Sequence, residues 1–167
     1  MPENTLLKTS VSNYLLNMFF ARGDINSTIP LSQACYIGMS TSIPEIDNNP
    51  ESPTYGKIIN FTEPAPSTGY RRSRLGIHGT EATYIMDAAK EGSITNGENF
   101  IFFDEATPGQ GGFGELKWFG LFSTDSPSTD KNPVLAGELT TPVTVAAGNV
   151  LIFRPNNLKA SWGIGTP

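Results

Sequence analysis

The chain has a single cysteine and a single histidine among its 167 residues. One thiol forms no internal disulfide, so a disulfide framework and a dithiol redox pair are both excluded. Cys35 lies in the apolar run Ala34-Cys35-Tyr36-Ile37-Gly38-Met39 and reads as a buried thiol. His78, followed by Gly79, has no second histidine to complete a zinc set or a catalytic pair, and it reads as a strand-end residue. Charge is also scarce. Asp, Glu, Lys and Arg make up 16% of the chain, against roughly 25% in ordinary soluble proteins. The net charge of −5 argues against wrapping a phosphate backbone, because such binding draws its affinity from Lys and Arg. No window approaches the roughly 18 apolar residues of a membrane span. The opening MPENTLLKTS lacks a basic region followed by a small-residue cleavage site. These absences predict a protein made in a reducing cytoplasm, with no nucleic acid and no membrane among its partners.

What is plentiful is turn chemistry, with 17 glycines and 13 prolines. The length suits one domain with a real core plus a short appendage. Glu115 to Thr124 is the stretch around which the rest is organised. Leu116, Trp118, Gly120 and Phe122 take one parity there, and Lys117, Phe119, Leu121 and Ser123 the other. Apolar bulk on both parities predicts a strand buried on most of both faces. A polar turn region containing Pro127 and Pro133 returns the chain through Leu135 to Pro142. Pro142 to Ala146 and Val150 to Phe153 then flank Ala147-Gly148-Asn149, which reads as a tight hairpin. The expected result is an antiparallel meander at the centre of a small β domain.

Further strands are expected at Ala34 to Thr41, Gly56 to Phe61, Tyr70 to Ile77, Ala82 to Met86 and Ser93 to Thr95. Asn99 to Phe103 is a strong one, and Leu158 to Trp162 a last one whose Trp162 covers one end of the core. About nine or ten short strands with Gly/Pro turns predict a mainly β fold, an antiparallel β-sandwich of jelly-roll type. One helix is expected. Leu7, Val11, Leu15 and Met18, with Tyr14 and Phe19 beside them, form an apolar stripe over residues 5–21. Gly23 suits its C-terminus and accounts for Arg22-Gly23-Asp24 without a receptor. The expected organisation is an N-terminal helical anchor over residues 1–23 and a sandwich domain over residues 24–167.

The search for chemistry returns little. Glu45, Asp47 and Glu51 in the long loop from Ser42 to Thr54 lack the spacing and the glycine of a calcium loop, so no metal is expected. Thr107 to Gly114 has glycines but no phosphate-cradle ending, and reads as a flexible tip or a close backbone approach. Asp104 and Glu105 are adjacent, so on a strand they point to opposite faces and do not share one substrate. No catalytic residue and no cofactor is predicted. The one basic cluster, Arg71, Arg72 and Arg74, reads as strand arginines, solvated or ion-paired at a rim or a subunit contact. Tyr55, Tyr70, Trp118 and Trp162 offer flat apolar faces for a host-surface glycan, although Trp118, in a dense apolar strand, reads first as core.

Read together, NTLLKTSVSNYLLNMFF, YIGMSTSIPE, GYRRSRL, GSITNGENFIFFDEAT, KWFGLFST, LAGELTTPVTVAAGNVLIF and LKASW resemble a family of small bacteriophage virion proteins of the tail-fibre-like or minor tail type. The resemblance runs from about residue 4 to residue 162. It implies a helix followed by a β-sandwich, carried on a phage or prophage-derived particle. The acidic 42–54 loop and the 107–114 loop are longer than the family pattern, which leaves the location in the virion open. The expected function is a structural, non-enzymatic virion subunit of the tail, baseplate or fibre-attachment apparatus, acting through protein–protein assembly. Capsid decoration, as a head auxiliary or head-fibre protein, and carbohydrate binding for host attachment are the alternatives. Its partners would be other virion proteins and further copies of itself, in a symmetric homo-oligomer such as a trimer. The expected interface residues are Leu7, Val11, Tyr14, Leu15, Met18, Phe19, Arg71, Arg72 and Arg74.

Overall fold

Two stretches with apolar residues of both parities, YIGMS and GELKWFGLF, pair at the centre of the molecule. In the computed structural model, which describes residues 36–75, 85–87, 90–91, 93–127 and 130–161, they are β1 (Tyr36–Ser40) and β7 (Gly114–Phe122). Between them come β2 (Glu45–Ile46), β3 (Ile58–Ile59), β4 (Ser73–Arg74), β5 (Ser93–Thr95) and β6 (Ile101–Phe102). After them come β8 (Leu135–Val145), β9 (Ile152–Phe153) and β10 (Lys159–Ser161). The main sheet has the order β4-β1-β7-β8, and β5–β10, β2–β3 and β6–β9 are two-stranded. All these pairings are antiparallel. The protein is thus mainly β, as its sequence predicts. The expected helix at residues 5–21, its apolar stripe, Cys35, His78 and Trp162 lie outside the described residues.

Both faces of the central strands are buried, for different reasons. On one face Ile37, Met39 and Leu121 enter a single core with Leu116, Ile94, Ile101, Phe103 and Phe153, which draws on β1, β5, β6, β7 and β9. On the other, Gly38 stands opposite Gly120. The missing side chains let residues 61–63 cross close above the sheet. A Cβ on Gly120 would come within 2.7 Å of the Phe61 ring, and one on Gly38 within 2.5 Å of Glu63 Oε1. Phe122, fully buried on this second face, meets Phe61 edge-on with centroids 5.3 Å apart.

β8 is the outer strand of the main sheet, and its register breaks midway. Leu116 pairs with Val143 but Trp118 with Glu138, so Leu139 to Pro142 bulge out opposite Lys117. Pro142 has no N–H for a ladder, which is why the strand yields there. Gly137 sits under the ring of its partner Phe119, whose atoms would come within 2.6 Å of a Cβ.

Two expectations are corrected here. Pro142 to Ala146 is no separate hairpin arm, because it is mostly the far half of β8, paired with the start of β7. The turn at Ala147-Gly148-Asn149 exists, with Asn149 N–H donating to Ala146 O at 3.1 Å and Gly148 at φ 81°. It carries the chain away to β6, where Phe102 pairs with Ile152 and Phe103 N–H donates to Leu151 O at 3.0 Å. The meander therefore ends after two strands. The reason lies at Gly112, where a Cβ would sit 2.3 Å from Val145 O. That close approach lets Phe113 N–H bond Val145 O at 2.8 Å, so the ladder beside β7 ends at Val145. Second, the strong strand at Asn99 to Phe103 shrinks to Ile101–Phe102, and alternate residues of it face solvent.

Candidate functional site

The arginine segment is positioned by a tight turn. Pro66–Thr68 forms one 3₁₀ turn closed by Gly69 at φ 85°, which sends Tyr70 and Arg72 back toward β1. Among the described residues β4 pairs with Tyr36 and Ile37 alone. The Met39 N–H beyond it is met by the Tyr70 hydroxyl at 2.6 Å, which in turn donates to Glu63 Oε1 at 2.9 Å. A phenol thus fills a gap in the ladder. Burial, and then the nearby Glu63 carboxylate, push the Tyr70 pKa well above its ordinary value, so it stays a donor.

Arg72 points inward beside it. Its Nη2 lies 2.7 Å from Glu63 Oε2 and 2.6 Å from Asp130 O, and its Nη1 3.0 Å from Thr124 O. The guanidinium carbon stands 3.4 Å above the Phe122 ring. One side chain thereby ties together the segment before the 3₁₀ turn and the loop after β7. Its interface role was expected from composition, but the Arg72 side chain has no exposed surface. Its contacts are internal, which follows from the cost of burying an unpaired cation.

Arg71 and Arg74 point outward. They line a cleft of about 410 Å³ with Tyr36, Pro66, Asp125 and Pro127. Arg74 lies 5.9 Å from the Tyr36 ring centroid. Arg71 makes a loose, exposed ion pair with Asp104 at 3.7 Å, worth little in stability.

That ion pair leads directly to an aromatic face. Ser73 Oγ donates to Phe102 O at 2.8 Å, which places β4 beside β6. While Ile101, Phe103, Leu151 and Phe153 turn inward, Phe100, Phe102, Val150 and Ile152 are exposed. Phe102 is 59% exposed and stacks on Phe100 at 5.8 Å. Exposed apolar side chains gathered on adjoining strands mark an interaction surface more often than scattered ones.

The profile of the family described as "Podophage GP4 fiber I protein gp80" matches residues 7–161. The chain belongs to this family. It is therefore a tail-fibre-like bacteriophage protein, a structural component of the virion. No curated protein and no solved structure matches it.

The remaining residues singled out in the fibre protein's sequence separate clearly. Tyr70 is buried and offers no face to a sugar, which corrects that expectation, whereas Tyr55 is exposed. Trp118 is half-buried in β7. Asp104 faces solvent and is paired with Arg71, and Glu105 is exposed. In the acidic loop, Asp47 turns inward and accepts bonds from Thr54 Oγ1 at 2.6 Å and Asn49 N–H at 3.0 Å. The Ser52 hydroxyl first, and then the Thr54 hydroxyl and Asn49 N–H, hold its pKa below the usual carboxylate value. The aromatic face was missed in the sequence. The alternation of Phe100, Ile101, Phe102 and Phe103 was its signal, hidden because both parities are apolar.

Proposed function

We propose that this phage fibre protein is a fibre-attachment subunit of the tail apparatus, without catalytic activity, which works by docking other virion proteins. The observation that carries this reading is the aromatic face of Phe100, Phe102, Val150 and Ile152. Four apolar side chains on β6, β9 and the residues just before them, with the Arg71–Asp104 pair at their margin, have the make-up of an interface centre and its rim. The described β elements would form a two-layer sandwich. Residues 1–23 would serve as an anchor through the stripe of Leu7, Val11, Tyr14, Leu15, Met18 and Phe19. Arg71 and Arg74, the exposed arginines, would complete the contact surface. A closed homo-oligomer, such as a trimer, is the arrangement proposed.

The test is incorporation. Phage carrying Phe102→Asp should assemble with the protein reduced or missing from purified tails, as read by quantitative mass spectrometry. Incorporation at the wild-type level would overturn the assignment of this face. Labelling on heads in place of tails would favour capsid decoration. A purified chain that sediments as a monomer at high concentration would overturn the homo-oligomer.

A further inference from the structure

Three of the chain's five arginines lie within four residues of an acidic protein. The structure divides their work. Arg72 is consumed in building the walls, because its bonds to Thr124 O and Asp130 O hold the loop that carries Asp125 and Pro127. Arg71 and Arg74 are left facing the resulting cleft of about 410 Å³. That volume lies in the range of small-ligand sites.

We propose that this cleft binds a saccharide bearing a carboxylate. The choice of ligand follows from the mixture of groups. Arg74, steered by the Tyr36 ring, and Arg71, whose only described acid partner is 3.7 Å away in solvent, offer planar donors to a carboxylate. Asp125 lines the same cleft, and no salt bridge joins it to either arginine among the described residues. A carboxylate there would repel a polyphosphate or a strongly acidic peptide, but accepts a bond from a sugar hydroxyl. Tyr36, Pro66 and Pro127 supply apolar walls for the C–H faces of a pyranose ring. A bare anion would use the arginines alone, and a neutral sugar would leave them idle. The walls are held by buried bonds, so little ordering is needed on binding. That this sugar belongs to a host surface rests on the reading of the chain as a fibre subunit; the cleft's chemistry does not.

The experiment is an NMR titration of the full chain with glucuronate, glucose and acetate. Glucuronate is expected to saturate in the millimolar range and to shift amides of residues 70–74 and 124–127. Glucose and acetate should each bind about tenfold more weakly, the fold-change expected for losing one good polar contact. Arg74→Ala should weaken glucuronate about tenfold and Asp125→Asn by a smaller factor, both with unchanged melting temperature, since these side chains are exposed. Acetate binding as well as glucuronate, an unaltered Arg74→Ala titration, or no saturation by about 10 mM would each overturn the proposal. The purified Phe102→Ser chain separates the two readings, because that change removes the centre of the proposed docking face and leaves the cleft residues in place. Glucuronate bound at the wild-type level by this chain supports the cleft whatever becomes of the assembly assignment, and loss of that binding would overturn the cleft. Where glucuronate competes with adsorption, the ligand is a surface polysaccharide; where it binds without competing, it is a soluble sugar acid.

Discussion

Arg72 and Glu63 form a two-pronged ion pair, with Nε 3.0 Å from Oε1 and Nη2 2.7 Å from Oε2. The Arg72 side chain is 0% exposed and that of Glu63 9%, so water screens little of it.

Breaking this pair from one side strands the other charge. Arg72→Ala is expected to cost about 3–5 kcal/mol, read as a lower urea midpoint. Arg72→Lys should recover little, because one ammonium does not reach Glu63, Thr124 O and Asp130 O together. Arg72→Met with Glu63→Leu should lose less than the two single changes combined.

Gly38→Ala places a methyl group where Glu63 Oε1 and the Tyr70 hydroxyl now lie. The crowding should cost about 1–3 kcal/mol. Glu63→Ala removes the nearest obstacle, so a double-mutant cycle should show strong coupling between positions 38 and 63. Additive effects would mean that the strand relaxes without disturbing the carboxylate.

Stability should fall at both ends of the pH range, through different residues. Asp47 has a depressed pKa in the folded chain, so its contribution is present above the unfolded value near 4 and disappears as pH falls through the folded one. Asp47→Asn should flatten the acid limb, with exchange protection changing mainly in residues 45–59. Tyr70 has a raised pKa, so the unfolded chain releases its proton first and stability declines as pH rises past about 10. Tyr70→Phe should remove that alkaline loss, and cost about 1–3 kcal/mol at neutral pH by leaving Met39 N–H unpaired.

Neighbouring phenylalanines should behave oppositely. Phe103, 3% exposed, should cost about 3–5 kcal/mol on change to Ala. Phe102→Ser should shift the melting point by the equivalent of about 1 kcal/mol or less, while weakening association with the proposed virion partner at least tenfold.

The central strands were legible because burial on both faces leaves a two-parity apolar signature, as in β1 and β7. β5 and β10 were also expected nearly where they lie. Position along the chain was easier to read than pairing. Val150 to Phe153 reads as the partner of the segment just before it, yet the approach at Gly112 sends it to β6. β3 lies inside the expected Gly56 to Phe61 strand, but its partner β2 was hidden in a loop rich in proline and asparagine, since two residues leave no periodicity. Of the arginine cluster, the sequence showed its charge but not its division. Arg72 is internal because Glu63 lies nine residues away across a turn, a distance no local pattern reveals.

Among the described residues β8 is an outer strand that exposes much of its length from Glu138 to Thr144, and four bulged residues, Pro142 among them, interrupt its edge. A like strand from another molecule would find no continuous row of donors and acceptors to zip onto. Endless main-chain polymerisation is thereby disfavoured along this edge, and any contact made there falls to side chains.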